Sequence, residues 1–364
     1  MNVAEITNLI EDQAPVALQE SYDNAGLILG NGGIEVKGIL ITIDVTEEVI
    51  EEAIQGDFNL IISHHPLIFR GIKKITGKNE VERCIQKAIK NDIAVYAAHT
   101  NIDNVQDGVN GKIAEKLQLI NTKILVPKEK SLVKLVTYVP KNKADVVRKA
   151  LFDAGAGNIG NYDECSFNAE GFGTFRGNKK AMPYVGQTNK QHCEPEVRIE
   201  VILPTYLIKK TVSSLVLAHP YEEPAYDIIP LLNNCATIGA GIIGELNEEM
   251  DELSFLYYLK TVFELSTVKY TSLSGKKIKK VALCGGSGSE FLQDAIGAGA
   301  DVFISADFKY HEYFEAKNKI LIADIGHFES EQYTKEVFYE IITKKMPKFA
   351  VRISKVNTNP IKYL

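Results

Sequence analysis

Ile61-Ile62-Ser63-His64-His65-Pro66 is the stretch of this sequence that best indicates its fold. The apolar residues before it, from Asn59 to Ile62, predict a short parallel strand that is covered on both faces and ends at Ser63. Open α/β sheets bind ligands at the carboxyl ends of their strands. Two adjacent histidines at such an end form a candidate metal platform, because neutral imidazole is the commonest protein ligand for metals. The alternative is that both rings only hydrogen-bond at the strand end.

Length and charge limit the classes of protein that fit. The 364 residues exceed the size at which a single core keeps growing, so two or more domains are expected. A hydrophobic content of 45% is typical of a globular protein. Because 41 basic residues face 47 acidic ones, no global positive field exists to hold nucleic acid. Nucleic-acid binding is therefore disfavoured, with binding in a local basic groove as the alternative.

Targeting signals and a disulfide framework are both absent from the pattern. The start, Met1 to Glu5, has no basic or apolar signal region, and no stretch supplies the roughly 18 apolar residues of a membrane span. We therefore expect a cytoplasmic protein without a membrane partner. The five cysteines are odd in number and form no C-x-x-C pair, which argues against a disulfide framework and a thiolate zinc site.

Strands and helices alternate through the first part of the chain. The predicted strands are 37–45, 59–62 and 93–98, and the predicted helices are 2–10, 46–54 with Thr46 as N-cap, 79–90 and 109–117. Residues 18–30, which include Asp23, are predicted to form a loop. This alternation is typical of a parallel sheet with helices on its faces.

The pattern changes near Ser131. The order of predicted elements becomes βαββαβ, with strands 132–139, 164–174, 196–203 and 225–231 and helices 144–154 and 206–218. That order is the ferredoxin-like pattern, an antiparallel α+β sheet with two helices on one face. About one hundred residues with a complete pattern can form an independent domain. We therefore predict a domain in two parts, residues 1–130 and 236–364, interrupted by an insert at 131–235.

Alternation resumes after the insert. The predicted strands are 237–246, 279–284, 302–305 and 320–325, and the predicted helices are 252–263, 290–298, 311–317 and a long one at 330–345. The glycine-rich stretch 285–289 predicts a tight turn, with a phosphate cradle as the alternative. Both flanking parts have two apolar strands that end in histidine or carboxylate residues. We infer an α/β domain of two related halves that face each other across one site.

Five side chains at these strand ends form a candidate metal site. His327 and Glu331 are four residues apart, so they share a helix face unless they only cap the helix. With His64, His65 and Asp103 they supply three imidazoles and two carboxylates. Five ligands exceed the three of a typical mononuclear catalytic zinc. They suit two ions with a bridging carboxylate, an arrangement that is typical of metal-assisted hydrolases.

A second group of polar residues lies near the same strand ends. His99, Asp307 and His311 could orient the metal ligands or transfer protons. A strand-end hydrogen bond and a helix cap are the alternative roles, and the pattern favours neither reading. His192 and His219 lie in the insert and are interpreted as packing or surface residues.

Together these motifs resemble the Nif3-like family, whose members are labelled GTP cyclohydrolase 1 type 2 homologues. The resemblance covers residues 1–130 and 236–364 and rests on Ser63-His64-His65-Pro66, His99-Thr100-Asn101-Ile102-Asp103, Ser305-Ala306-Asp307 with His311, and Gly326-His327-Phe328-Glu329-Ser330-Glu331. It implies two divalent ions per chain, zinc first and iron or manganese as alternatives, on His64, His65, Asp103, His327 and Glu331. Ala306 and Tyr310 depart from the family pattern, where glycine and a second histidine are usual.

The insert is similar to the PII-like or CutA-like domain of longer family members. The resemblance rests on residues 154–160, 171–175 and 219–226. It implies a toroidal homohexamer. The polar segment 177–194 resembles the partner-binding loop of PII-like domains, and a disordered hairpin is the alternative.

Two classes of function follow. The first is a metal-dependent hydrolase of a phosphorylated or nucleotide-like small molecule, with His99 or His311 as proton carrier. The second is a non-catalytic metal-binding or regulatory protein whose insert senses a ligand or partner. An open coordination position would favour the first, and a saturated pair of ions the second.

Overall fold

A computed structural model describes residues 1–364. The chain forms two compact units. The first unit contains residues 1–126 and 237–364, and the second contains residues 127–236. The boundaries expected for the insert, 131 and 235, both fall inside the second unit. None of the helices is long and apolar enough to cross a membrane.

Residues 1–127 contain five α-helices and five strands. They are α1 (Val3–Glu11), β1 (Gly26–Leu29), β2 (Ile39–Thr42), α2 (Glu47–Gln55), β3 (Leu60–Ser63), α3 (Glu80–Lys90), β4 (Ala94–Ala97), α4 (Thr100–Asp103), α5 (Val109–Lys116) and β5 (Ile120–Pro127). The side chains of Asn2, Thr46 and Asn79 cap the backbone N–H groups that begin α1, α2 and α3. The predicted N-cap at Thr46 is therefore confirmed.

The second unit contains β6 (Leu132–Pro140), α6 (Ala144–Asp153), β7 (Phe167–Phe175), β8 (His192–Pro204), α7 (Ile208–Ala218) and β9 (Tyr226–Pro230). Its strands form an antiparallel sheet in the order β7-β8-β6-β9. One face of this sheet packs against the two helices, through a core that includes Val139, Val147, Leu151 and Val197. The opposite face carries no helix.

Residues 237–364 complete the first unit. They form β10 (Gly239–Asp251), α8 (Glu252–Val262), β11 (Lys269–Tyr270), β12 (Lys277–Ser287), α9 (Leu292–Gly297), β13 (Val302–Ala306), α10 (Glu312–Glu315), β14 (Leu321–Asp324), α11 (His327–Glu331), α12 (Thr334–Lys345) and β15 (Val351–Ile353).

Two sheets organise the first unit. The five-stranded sheet has the order β1-β4-β3-β2-β15, and the six-stranded sheet has the order β11-β14-β13-β12-β10-β5. Each has three parallel central strands, β2-β3-β4 in one and β12-β13-β14 in the other. All side chains of β2, β3 and β4 are buried, as expected for a parallel sheet covered on both faces.

In each sheet of the first unit, one edge strand comes from the other side of the insert in the sequence. β15, near the end of the chain, pairs in parallel with β2, so that Val351 lies opposite Ile39. Conversely, β5 occupies an edge of the sheet formed by β10 to β14. A single hydrophobic core contains residues of both sheets, among them Ile62, Tyr96 and Ile304. The two parts of the chain therefore form one interlocked body.

Three secondary-structure predictions are wrong. The predicted long helix 330–345 is two helices, because the chain turns at Gln332 and Tyr333 after α11. The stretch 285–289 is not a tight turn, since β12 continues through Ser287. The loop predicted at 18–30 contains β1, whose apolar residues pair with β4. The sequence analysis also missed the edge strands β5, β11 and β15.

Candidate metal centre

The carboxyl ends of three parallel strands place polar residues at one edge of the five-stranded sheet. Thr42 of β2 and Ala97 of β4 both lie opposite Ser63 of β3. The residues that follow these strands, Asp44, His64 with His65, and His99, therefore meet at that edge. This is the location that sheet topology predicts for a ligand site.

His64 is fully buried and has one unused ring nitrogen. Its Nδ1 lies 2.9 Å from the carbonyl oxygen of Ala98, whereas its Nε2 has no hydrogen-bond partner. Burial lowers the pKa of His64, so the ring is neutral and Nδ1–H donates to the carbonyl. The lone pair of Nε2 then points towards Glu331 Oε1 at 3.5 Å and Asp103 Oδ1 at 3.8 Å. A buried polar atom without a partner costs free energy, and a metal ion would satisfy it.

His65 and His327 both approach the carboxylate of Glu331. Their Nε2 atoms lie 3.0 Å and 3.1 Å from Glu331 Oε2 and 3.4 Å from each other. On the outer side of each ring, Nδ1 is held by a carboxylate, Asp44 for His65 and Asp307 for His327, both at 2.7 Å. The two Nε2 atoms and Glu331 can therefore hold one ion.

His99 belongs to the same cluster. One ring nitrogen each of His64, His65 and His99 lie within 4.8 Å of one another. The Nδ1 of His99 lies 2.7 Å from Asp23 Oδ1, and Asp23 in turn accepts hydrogen bonds from the backbone and the hydroxyl of Thr100. That leaves Nε2 of His99 for an ion or a proton.

Glu331 reaches the centre of the cluster because a glycine faces it. Gly286 in β12 has a φ of 62°, and a Cβ atom at this position would lie 2.1 Å from Glu331 Oε1. The backbone N–H of Gly286 also donates to Ser330 Oγ at 2.9 Å, which fixes α11 against β12. The glycine-rich stretch therefore makes room for a carboxylate, and it does not form a phosphate cradle.

Carboxylates of the cluster stabilise protons on two of its histidines. Burial opposes a charge on His65, but hydrogen bonds to Asp44 and Glu331 outweigh it and raise its pKa to about 10. The pKa of His327 rises to about 9, since its bonds to Glu331 and Asp307 likewise outweigh burial. The pKa of Glu331 is lowered, because the neighbouring histidines overcome the effect of burial. Divalent cations could replace these protons, so the donor set fits metal ions.

Asp103 is the last residue of α4, and its carboxylate is more accessible than that of Glu331. Its side chain is 25% exposed. Burial of its carboxyl group, followed by repulsion from Glu331, raises its pKa. The amide of Asn110 donates to its main-chain carbonyl at 3.1 Å. A cation between Asp103 and Glu331 would remove their repulsion.

The first unit therefore brings together His64, His65, His99, Asp103, His327 and Glu331. A family model described as Duf34/NIF3 (NGG1p interacting factor 3) matches residues 1–360 of the chain. The chain belongs to the Duf34/NIF3 family. The resemblance to Nif3-like proteins is thus confirmed.

Relatives of this Duf34/NIF3 protein match it over its whole length. A Bacillus subtilis (strain 168) protein named GTP cyclohydrolase 1 type 2 homolog is 38% identical over 374 residues, which cover 100% of this chain and 99% of the relative. A Halalkalibacterium halodurans protein of the same name is 37% identical, covering 99% of this chain and 98% of the relative.

Solved structures show the same mixed α/β fold with several sheets. The structure of a Bacillus cereus protein related to NIF3 matches with a TM-score of 0.86 and 39% identity, covering 100% of this chain and 99% of that one. A Staphylococcus aureus protein matches with a TM-score of 0.78 and 30% identity over the same shares.

The remaining predicted site residues take different positions in this Duf34/NIF3 protein. Asp307 holds His327, with a left-handed φ of 59°. His311 makes its ring contacts with Tyr310 and Phe314 and takes part in no hydrogen bond or ion pair of the cluster. Its predicted role as a proton carrier therefore has no contact to support it.

Sequence reasoning named Asp307, which orients His327, but it missed the residues that orient His65 and His99. Asp44 holds His65, Asp23 holds His99, and Thr358 donates to Asp44 at 2.6 Å. The signal for Asp44 was present, since it follows a strand that neighbours β3. No local signal marks Thr358, because only the path of the chain after β15 brings it to the site.

Proposed function

We propose that this chain is a metal-dependent hydrolase of a phosphorylated or nucleotide-like small molecule. Two divalent ions would be held by His64, His65, Asp103, His327 and Glu331, with His99 beside them. One observation carries the proposal. The Nδ1 atoms of His64, His65, His99 and His327 are all held from outside the cluster, by a carbonyl or a carboxylate, which leaves every Nε2 for the interior. Metal-binding histidines are oriented in this way.

The chemistry of the donors limits the choice of metal. Imidazole and carboxylate ligands without thiolates suit zinc, iron or manganese, and zinc is our first choice. A pair of such ions activates water and stabilises negative charge on a substrate.

Side chains around the site have supporting roles in this proposal. Asp44 and Asp307 fix the rings of His65 and His327, so their role is to orient these ligands. Asp23 fixes Nδ1 of His99, so Nε2 of this ring is oriented for proton transfer next to the cluster. We therefore assign proton transfer to His99 and not to His311.

The test begins with protein purified without chelator or nickel resin. Metal content is measured by mass spectrometry, and phosphate esters and nucleotides are screened as substrates for wild type, Glu331→Gln and the control His192→Ala in the second unit. About two ions per chain, with turnover lost only in Glu331→Gln, would support the hydrolase. No bound metal, and none taken up on addition, would refute the metal site.

A second candidate function is a non-catalytic metal-binding or regulatory protein. It is favoured by the second unit, which has its own core and its own cavity and is compact by itself. In this reading a PII-like or CutA-like insert senses a ligand. Two bound ions without turnover of any phosphate ester or nucleotide would favour it over the hydrolase.

The proposal includes a homohexameric toroid, which rests on the resemblance to long Nif3-like proteins. Light scattering coupled to gel filtration measures the mass of the assembly. A mass six times that of the 40.3 kDa chain would support the hexamer, and a monomer or dimer would refute it.

A further inference from the structure

The second unit contains a cavity of about 860 Å³ on the helix-free face of its sheet. In β8, Glu196 and Arg198 face this side, since their neighbour Val197 points into the core with the helices. The residues opposite them in β7 are Gly171 and Ala169. Drug-sized ligand sites have volumes of roughly 300–1,000 Å³. The cavity therefore has the size of a small-molecule site.

Small residues in β7 create this space. A Cβ atom on Gly171 would meet nothing within 4 Å, so the space above this residue is open. A Cβ atom on Gly173 would lie 2.0 Å from Glu196 Oε2, so this glycine gives room to the carboxylate. The floor of the cavity is thus the bare backbone of β7 beside Arg198 and one acidic side chain, that of Glu196.

That acidic side chain lacks a counter-charge. Glu196 is only 8% exposed, and its Oε1 accepts a hydrogen bond from the hydroxyl of Tyr221 at 2.7 Å. No hydrogen bond or ion pair within the chain engages Oε2. The neighbouring Arg198 pairs with Glu200 at 2.8 Å instead. The Oε2 atom borders the cavity, so it is available to a ligand that supplies a cation.

His219 does not supply the missing charge. Its Nδ1 accepts a hydrogen bond from the backbone N–H of Tyr221, and its Nε2 lies 3.0 Å from the carbonyl oxygen of Tyr138. Burial lowers the pKa of His219. The ring is therefore neutral, with its one proton directed at the Tyr138 carbonyl.

Aromatic rings line the wall beside Glu196. The ring centroid of Tyr221 lies 5.8 Å from that of Phe175 and 6.3 Å from that of Tyr184, with tilts of 59° and 49°. The faces of such rings attract organic cations. Arg176 and Lys180 also line the cavity and have no ion-pair partner. Both side chains are exposed, so they offer cationic partners to an anionic group of a ligand.

We propose that this cavity binds a small zwitterion, whose cationic nitrogen group pairs with Glu196 against the aromatic wall and whose anionic group pairs with Arg176 and Lys180. An amino acid with a cationic side chain has this arrangement of charges. A ligand with its anionic group at the floor would meet the carboxylate of Glu196. The inference rests on the second unit alone, so it is independent of the metal site.

Calorimetry on the full-length protein tests the proposal with three probes. L-arginine has both charges, L-citrulline has nearly the same shape without the side-chain charge, and agmatine lacks the carboxylate. We expect arginine to bind roughly tenfold to a hundredfold more tightly than citrulline, because hydrogen bonds to charged groups are the stronger ones. Agmatine should bind more weakly than arginine.

Matched variants locate the binding in the cavity. Glu196→Gln should remove the preference for arginine, whereas Glu194→Gln, on the same strand but paired with His192, should keep it. Gly171→Leu should fill the open space and abolish binding, and an unchanged melting temperature would show that it folds. The proposal would be overturned if arginine did not bind, or if it bound no more tightly than citrulline or agmatine. Unchanged arginine binding by Gly171→Leu would also overturn it.

Discussion

Asp44 Oδ1 lies 2.7 Å from Nδ1 of His65, so a carboxylate that follows one strand fixes an imidazole that follows the next. The bond defines which nitrogen of His65 faces the interior. We expect Asp44→Ala to weaken metal binding about 10- to 100-fold, as is usual when the partner of a histidine ligand is lost. Titration against a competing chelator measures the affinity. Asp153→Ala, which removes only an exposed pair with Lys149, serves as control and should bind metal like wild type.

Thr358 supports the same bond from the end of the chain. Its hydroxyl donates to Asp44 Oδ2 at 2.6 Å. Thr358→Val should weaken metal binding by roughly fivefold, since a hydrogen bond contributes about 1 kcal/mol. Thr358→Ser keeps the hydroxyl and should restore most of the affinity in the same titration. Equal affinities for the valine and serine variants would contradict this role.

Gly286→Ala should damage the site through shape alone. The added methyl group would collide with Glu331, and the φ of 62° is unfavourable for alanine. We expect a loss of at least about 1–3 kcal/mol in the free energy of unfolding, together with loss of bound metal. Gly297→Ala is the matched control, because nothing lies within 4 Å of its Cβ position and it lies in α9. Thermal unfolding and metal analysis of both variants test this prediction. Equal stability and equal metal content of the two variants would refute the steric role of Gly286.

The stability of the metal-free protein should fall as the pH rises above neutrality. The pKa values of His65 and His327 in the folded protein, about 10 and about 9, lie above the ordinary value of 6.5. Their contribution to stability is therefore complete below pH 6.5 and is lost as the pH rises through 9 and 10. Urea unfolding of chelator-treated protein at pH 6.5, 8 and 9.5 measures the decline.

The double variant His65→Gln/His327→Gln is the control for this decline. It lacks both titrating rings, so its stability should vary much less over the same pH range. A parallel decline in wild type and double variant would assign the effect to other groups. Saturating zinc should also reduce the decline, because the ions take the place of the two protons.

His311→Ala should leave the metal content unchanged. The ring contacts only Tyr310 and Phe314 near the start of α10. His327→Ala, by contrast, removes a contact with Glu331 and should lose metal. Mass spectrometry of both variants tests this, and metal loss in His311→Ala would restore the role that the sequence pattern indicated.

Local patterns in the sequence predict which residues form the site, but they predict less well how these residues are arranged. His64 and His65 were recognisable because an apolar strand ends at them, and His327 and Glu331 because they are one helical turn apart. The role of Asp23 was not recognisable, since its bond to His99 joins a loop to a distant strand end. The break between α11 and α12 was equally hidden, because the contacts of Ser330 and Glu331 with β12 just before it join segments that are distant in the sequence.

The paired edge strands also constrain the order in which the protein can mature. β2 has its neighbour β3 as soon as the first part of the chain is made, but its other edge stays open until β15 leaves the ribosome. An open parallel edge is a template for pairing with other chains. Pairings so distant along the chain also slow folding. During synthesis, Ile39–Thr42 therefore keeps one unpaired parallel edge until Val351–Ile353 has been made.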